Sequence, residues 1–189
     1  MCYNILNNAI YSGGNMPTYN NNVKNKLLVM YFIRALNTPL LGYQLEDYFV
    51  ENVLIEIVEL HTILDELNEL DFVKKTIAFD RTYYTVTPKG IEALESLQSG
   101  LTETSRALIN DYSVANRDRI INENNVLSSC KQSVDGTYDL TLTLLDNAKP
   151  ILELKLDIAD EEFAVKAAKN WAQCSNDVYA AIVNLLLND

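Results

Sequence analysis

The sequence predicts an α+β protein in two parts, on three observations. Apolar residues recur at helical spacing in three successive segments up to about residue 70, and two short β-rich runs and a fourth helical segment follow by residue 98. A Ser99-Gly100 break ends that part. Beyond it the apolar period shortens to two between residues 138 and 158 and then returns to helical spacing in the last segment. The expected organisation is residues 1–22 as an Asn-rich tail or arm, 23–98 as the first domain and 104–189 as an α-β-β-β-α domain with a three-stranded antiparallel sheet.

The tail contains Asn4, Asn7, Asn8, Asn15, Asn20, Asn21 and Asn22 with Gly13-Gly14, a turn-favouring composition. Ile5, Leu6, Ile10 and Tyr11 would let part of it dock on a partner. From Val23 to about Asn37 the run KLLVMYFIRAL is apolar almost all round, which marks a helix buried on several sides; Thr38-Pro39 stops it. A short second helix, Tyr43 to about Val50, sets Leu45, Tyr48 and Phe49 on one side, with Gly42 in the N-cap place.

The third helix, about Ile55 to Leu70, aligns Ile57, Leu60, Ile63, Leu64, Leu67 and Leu70 inward, opposite Val58, Thr62, Asp65 and Glu69. Phe72–Ala78 and Thr82–Val86 read as a hairpin around Phe79-Asp80-Arg81. Thr87-Pro88 opens a fourth helix as N-cap and first helical residue, with the stripe Ile91, Leu94, Leu97.

In the second part a helix from Thr104 to about Asn122 carries Leu108, Ile109, Tyr112, Ala115 and Ile120. A strand from about Val126 to Val134 joins the next through Asp135-Gly136, read as a two-residue turn. Tyr138, Leu140, Leu142 and Leu144 then alternate with polar residues, as do Leu152, Leu154, Leu156 and Ile158 after a turn at Asn147 to Pro150. The last helix, from Asp160, covers this sheet with Phe163, Ala167, Trp171, Cys174, Val178, Ile182 and Leu185.

Three helices followed by a hairpin form the order of a winged helix-turn-helix, in which the third helix faces a DNA major groove and the hairpin, or wing, touches the backbone nearby. The segment Tyr83-Tyr84-Thr85-Val86-Thr87-Pro88-Lys89-Gly90 resembles the Tyr-x-aliphatic-Thr-x-x-Gly junction of PadR-type and MarR-type regulators. There Thr caps the helix and Gly permits close packing. From KLLVMYFI through TYYTVTPKG to ILELKLDI and the Trp171 helix, about residues 23 to 187, the chain is similar to the bacterial, PadR-like domain-of-unknown-function family 4364. The resemblance implies a winged-helix transcriptional regulator of unestablished target with a C-terminal α/β domain of unknown role. It supplies no catalytic residues.

Charge argues in the other direction. The chain has 15 Lys and Arg against 26 Asp and Glu, a net −11, and up to residue 98 seven bases face twelve acids. Neither half is a basic module. The start of the third helix, Ile55 to Thr62, carries Glu56 and Glu59 but no Lys or Arg, leaving His61 and Thr62 as its donors toward bases. Phosphate contacts would fall to Lys74, Lys75 and Arg81 of the wing, with Lys24 and Lys26, and to Tyr43 and Gln44 at the opening of the second helix.

The expected contact set for double-stranded DNA is therefore Tyr43, Gln44, His61, Thr62, Lys74, Lys75 and Arg81. A homodimer is expected, since the first and last helices have more apolar surface than one small domain covers and paired wings read paired half-sites. The alternative is a winged-helix protein-interaction module without DNA affinity, on the acidity of the third helix and on apolar Ile55 and Val58 on its outer side.

Cys2, Cys130 and Cys174 form no CxxC pair, which fits reduced thiols in a cytoplasmic protein and no zinc site. The sequence contains no GxxxxGK[ST], GxGxxG or HExxH, and a single His cannot build a multi-histidine metal site. Neither catalysis, cofactor nor metal is expected. No stretch reaches the roughly 18 uninterrupted apolar residues of a membrane span, and a small-molecule effector is left open.

Overall fold

A computed structural model describes residues 21–52 and 54–187. The Asn-rich arm lies outside the described residues, except Asn21 and Asn22, which begin the first helix. The chain forms two compact units, one through Arg117 and one from Asp118.

The first unit has the topology of a winged helix. Helix α1 (Asn21–Leu36) is followed by a two-residue strand β1 (Leu40–Leu41), α2 (Gly42–Phe49), α3 (Ile57–Glu69), the hairpin β2 (Val73–Ala78) and β3 (Arg81–Val86), and α4 (Pro88–Leu97). The strands form an antiparallel sheet in the order β1-β3-β2. As its all-round apolar sequence requires, α1 is buried on several sides, through Val23, Leu27, Val29, Met30, Phe32, Ile33 and Leu36. The apolar surface that the sequence suggested for dimer contact on α1 is thus largely consumed inside the unit.

Several boundaries differ from the sequence reading for local reasons. The N-cap of α2 is Leu41 and not Gly42, because the Gln44 side chain turns back to accept the Leu41 amide at 3.0 Å. Helix α3 begins at Ile57, so Ile55 precedes it and is buried at 4% exposure, while Ile57 stands 48% exposed. Its end is a left-handed turn without glycine. Asp71 has φ 58°, and the amides of Asp71 and Phe72 return to the carbonyls of Asn68 and Leu67 at 3.0 and 2.9 Å. The wing turn is Phe79-Asp80, both with positive φ, a primed two-residue turn also made without glycine.

The junction after the wing is built on one carbonyl. The Thr87 amide donates to the Phe72 carbonyl at 3.0 Å, and the Thr87 hydroxyl accepts the Gly90 amide at 3.0 Å while donating to the Asp71 carbonyl at 2.7 Å. Thr87 is therefore both the cap of α4 and its tie to the end of α3. A Cβ at position 90 would lie 2.1 Å from the Phe72 carbonyl oxygen, so only glycine permits this approach.

Helix α5 (Glu103–Asn125) spans the boundary between the units. In its first half Tyr112 meets the rings of Tyr48 and Phe32 at 4.7 and 5.6 Å, completing an aromatic cluster with Phe49 inside the first unit. Ile109 and Ile120 are buried, but Leu108, expected on the inner stripe, is 60% exposed.

The second unit continues with β4 (Val126–Gln132), β5 (Tyr138–Asp146), β6 (Lys149–Ile158) and α6 (Glu161–Leu187), the strands forming an antiparallel sheet in that order. The β4–β5 turn is longer than the two residues expected. Ser133 and Thr137 close it, and Gly136 takes φ 90° inside it. The β5–β6 turn is only Asn147-Ala148, which leaves Pro150 within β6 opposite Leu145, next to a bulge at Ile151 where the register shifts between Leu144 and Leu145.

Leu140, Leu142 and Leu144 pack with Trp171, whose indole N–H donates to the Thr143 carbonyl at 3.3 Å. The expected stripe of α6 holds in its middle, where Trp171 is buried and Ala167 and Val178 pack against the sheet core, and fails at its ends, where Phe163 and Leu185 are 67% and 81% exposed; Ala164 and Ser175 are buried beside it. These small residues let α6 approach the sheet, which an apolar-stripe reading underweights.

Candidate nucleic-acid interface

In the first unit, the surface that a winged helix offers to a groove is made by α3 and the β2–β3 hairpin. Leu60, Ile63, Leu64 and Leu67 anchor α3 in the core, which leaves Val58, His61, Thr62, Asp65, Asn68 and Glu69 exposed. The hairpin is fixed against the second half of this helix, because Asn68 Oδ1 accepts the Lys75 amide at 3.0 Å and Lys75 Nζ pairs with Asp65 at 3.5 Å.

Each residue of the expected contact set has a definite place. His61 Nε2 lies 3.0 Å from Glu46 Oε1, tying α3 to α2. The Thr62 hydroxyl donates to the Val58 carbonyl of its own helix at 2.9 Å, so a base contact requires that bond to be shared or exchanged. Tyr43 is 47% exposed at the start of α2, whereas Gln44 is buried at 4% and spends its amide inside the turn.

On the wing, the register sets Lys74 and Arg81 on one face of the hairpin and Lys75 on the other, since Lys74 pairs with Thr85 and Ala78 with Arg81, while Lys75 pairs with Tyr84. The three cations do not form one cluster. Of the two lysines at the start of α1, Lys26 is held by Glu66 at 2.7 Å with its side chain 13% exposed.

The family model for "Domain of unknown function (DUF4364)" matches residues 25–186. The chain belongs to this family. No curated protein and no solved structure matches it.

Two features of this DUF4364 chain were not legible as a surface in the sequence. Leu54, Ile57 and Val58 are exposed at 47%, 48% and 74% around the start of α3, and Ile77 and Phe79 at 75% and 42% near the tip of the wing. Val58 and the turn at Phe79 were visible; the exposure of Ile57 was hidden by its fit to the inner stripe. The acids of α3 are largely engaged: Glu59 accepts Asn25 Nδ2 at 2.8 Å, Asp65 holds Lys75, and Glu66 holds Lys26. The exposed Lys75–Asp65 pair contributes about 0–1 kcal/mol; its larger effect here is to lower the positive potential of the wing. Among the described residues no group of three or more His, Cys, Asp or Glu is placed to hold a metal ion, and no helix is long and apolar enough to cross a membrane.

Proposed function

We propose that this chain is a PadR-like, DNA-binding transcriptional regulator that acts as a homodimer and meets duplex DNA through α3 and the β2–β3 wing. The observation that carries the reading is the arrangement itself: a three-helix unit whose third helix turns an exposed face outward beside a hairpin bearing Lys74, Lys75 and Arg81. The Thr87-to-Gly90 junction adds support, since its cap and close approach are the features the resemblance to PadR-type and MarR-type regulators implies. In this mode the wing supplies the phosphate contacts and Thr62, with His61, is left to read bases.

A second reading, a winged-helix protein-interaction module, is favoured by one specific observation. The first turn of α3 offers apolar Ile57 and Val58, with Leu54 beside it, where a DNA reader needs donors. A fluorescence titration of the full chain against mixed genomic fragments at low and moderate salt decides between them. Saturable binding that weakens steeply with salt supports the regulator. Absence of binding at every salt overturns it in favour of the interaction module.

A further inference from the structure

Among the described residues strand β6 is the longest strand, and it lies at the edge of its sheet, pairing only with β5. Its first residues are guarded by Pro150 and by the bulge that leaves Ile151 outside the register with β5, but from Leu152 to Ile158 it is a regular strand. Such an edge presents unpaired backbone N–H and C=O groups, a template for another strand. Its apolar side is only partly covered, because α6 lies chiefly over β4 and β5. Leu152, Leu154 and Ile158 are half-buried and Leu156 is 41% exposed.

The sequence of this edge is complementary to itself. Around Leu154 it reads Leu152-Glu153-Leu154-Lys155-Leu156. Glu153 and Lys155 share the outer face, where their side chains meet at 3.1 Å and are 45% and 73% exposed. In an antiparallel pairing of two copies centred on Leu154, each Glu153 stands directly opposite the other copy's Lys155, and each Leu152 opposite the other's Leu156. Shifting the register by two residues in either direction sets Glu153 against Glu153 or Lys155 against Lys155. Shifting by one puts the leucines of the two copies on opposite faces. Cross-strand charge pairs favour the opposite-sign arrangement and penalise the like-sign one, so one register is selected.

We propose that β6 is an interface for a second copy of this chain, the two sheets joining edge to edge into one six-stranded antiparallel sheet about a two-fold axis through the Leu154 pair. The axis runs perpendicular to the sheet, so both α6 helices cover the same face and the leucine rows of the two copies become continuous. The inference rests on the homodimer part of the function proposed above and assigns its surface.

The test uses charge reversal in the full chain, read by sedimentation velocity and by subunit exchange. E153K and K155E, each folded by circular dichroism, should each weaken self-association roughly tenfold, since two pairs per dimer turn from attractive to repulsive. Mixed together, they should form a one-to-one heterodimer at wild-type strength, because every lysine then faces a glutamate. The double variant E153K/K155E should dimerise like wild type. If wild type dimerises and the single variants do so equally well, or the mixture fails to recover, this interface is wrong while the homodimer stands. If wild type is a monomer at tens of micromolar, the homodimer and this interface fall together.

Discussion

Replacing Gly90 by alanine separates two opposed physical expectations. Position 90 lies in the first turn of α4, and by helix propensity alone alanine should stabilise by about 1 kcal/mol. The packing says the reverse. The added Cβ would sit 2.1 Å from the Phe72 carbonyl oxygen and 2.9 Å from its carbon, where ordinary contact begins at 3.4 Å. Both partners are backbone, so neither yields by a rotamer change, and α4 must move off the end of α3. That movement strains the Thr87 cap, whose hydroxyl bonds Gly90 and Asp71 at 3.0 and 2.7 Å. Overpacking costs about 1–3 kcal/mol and a weakened cap about 1 kcal/mol, which together outweigh the propensity gain. We expect G90A to lose about 2 kcal/mol, a fall in Tm of roughly 10 °C for a unit of this size. Urea and thermal unfolding followed by circular dichroism measure both. Gly136, with φ 90° but nothing within 4 Å, is the control: G136A should cost only backbone strain, about 1 kcal/mol. Equal or greater stability of G90A would refute the close approach as the reason for glycine here.

Changing Lys74, Lys75 and Arg81 together to alanine should weaken DNA binding alike for every sequence and flatten the salt dependence of log K by roughly 0.9 per lost phosphate contact; of the two lysines, K75A should matter less than K74A, because Asp65 already holds that ammonium. T62A should cost on the order of 1 kcal/mol at a proper site and little elsewhere, as a competition assay with cognate and random duplexes would register. W171F should lose about 1–2 kcal/mol, for the hydrogen bond to Thr143 and the smaller ring, and W171A about 3–5 kcal/mol, in urea midpoints followed by circular dichroism. Burial, and secondarily the Tyr112 phenol, raises the Tyr48 pKa above its ordinary 10.0. The folded protein thus holds that proton longer than the unfolded chain, so its contribution is intact below pH 10.0 and is lost as pH rises through the folded pKa. Alkaline unfolding curves of Y48F should lack this part of the slope.

The fold was readable where one face of an element is wet and the other dry. Leu140, Leu142 and Leu144 alternate in the sequence and are buried in the sheet, and Thr87-Pro88 starts a helix in both. The reading failed where a side chain substitutes for the expected residue type. Gln44 caps its helix from inside it, which moved the N-cap from Gly42 to Leu41; the end of α3 and the wing turn were placed correctly even though Asp71 and Phe79-Asp80 take left-handed positions usually given to Gly or Asn. Periodicity set Ala167, Trp171 and Val178 on the sheet side of α6 but missed Ala164 and Ser175, which are buried by proximity to the sheet rather than by their own apolarity.

The candidate site was legible in composition and not in arrangement. Counting charges showed that α3 has no cation, but only the register shows that Lys75 stands on the opposite wing face from Lys74 and Arg81, and only packing shows Lys75 tied to Asp65 and Lys26 to Glu66. Two of the cations that a net charge of −11 leaves for phosphate are therefore already partnered. DNA would have to displace those carboxylates or make fewer phosphate contacts, and either route makes binding weaker and its dependence on salt shallower than the topology alone suggests. The apolar turn at Ile57 and Val58 bears on the same balance, because burying it against a partner would add about 25 cal/mol for each Å² removed from water, a term that salt does not screen. The salt dependence of binding is for this reason more diagnostic than its strength: a partner held mainly by α3 would be nearly insensitive to salt, and one held by the wing would not.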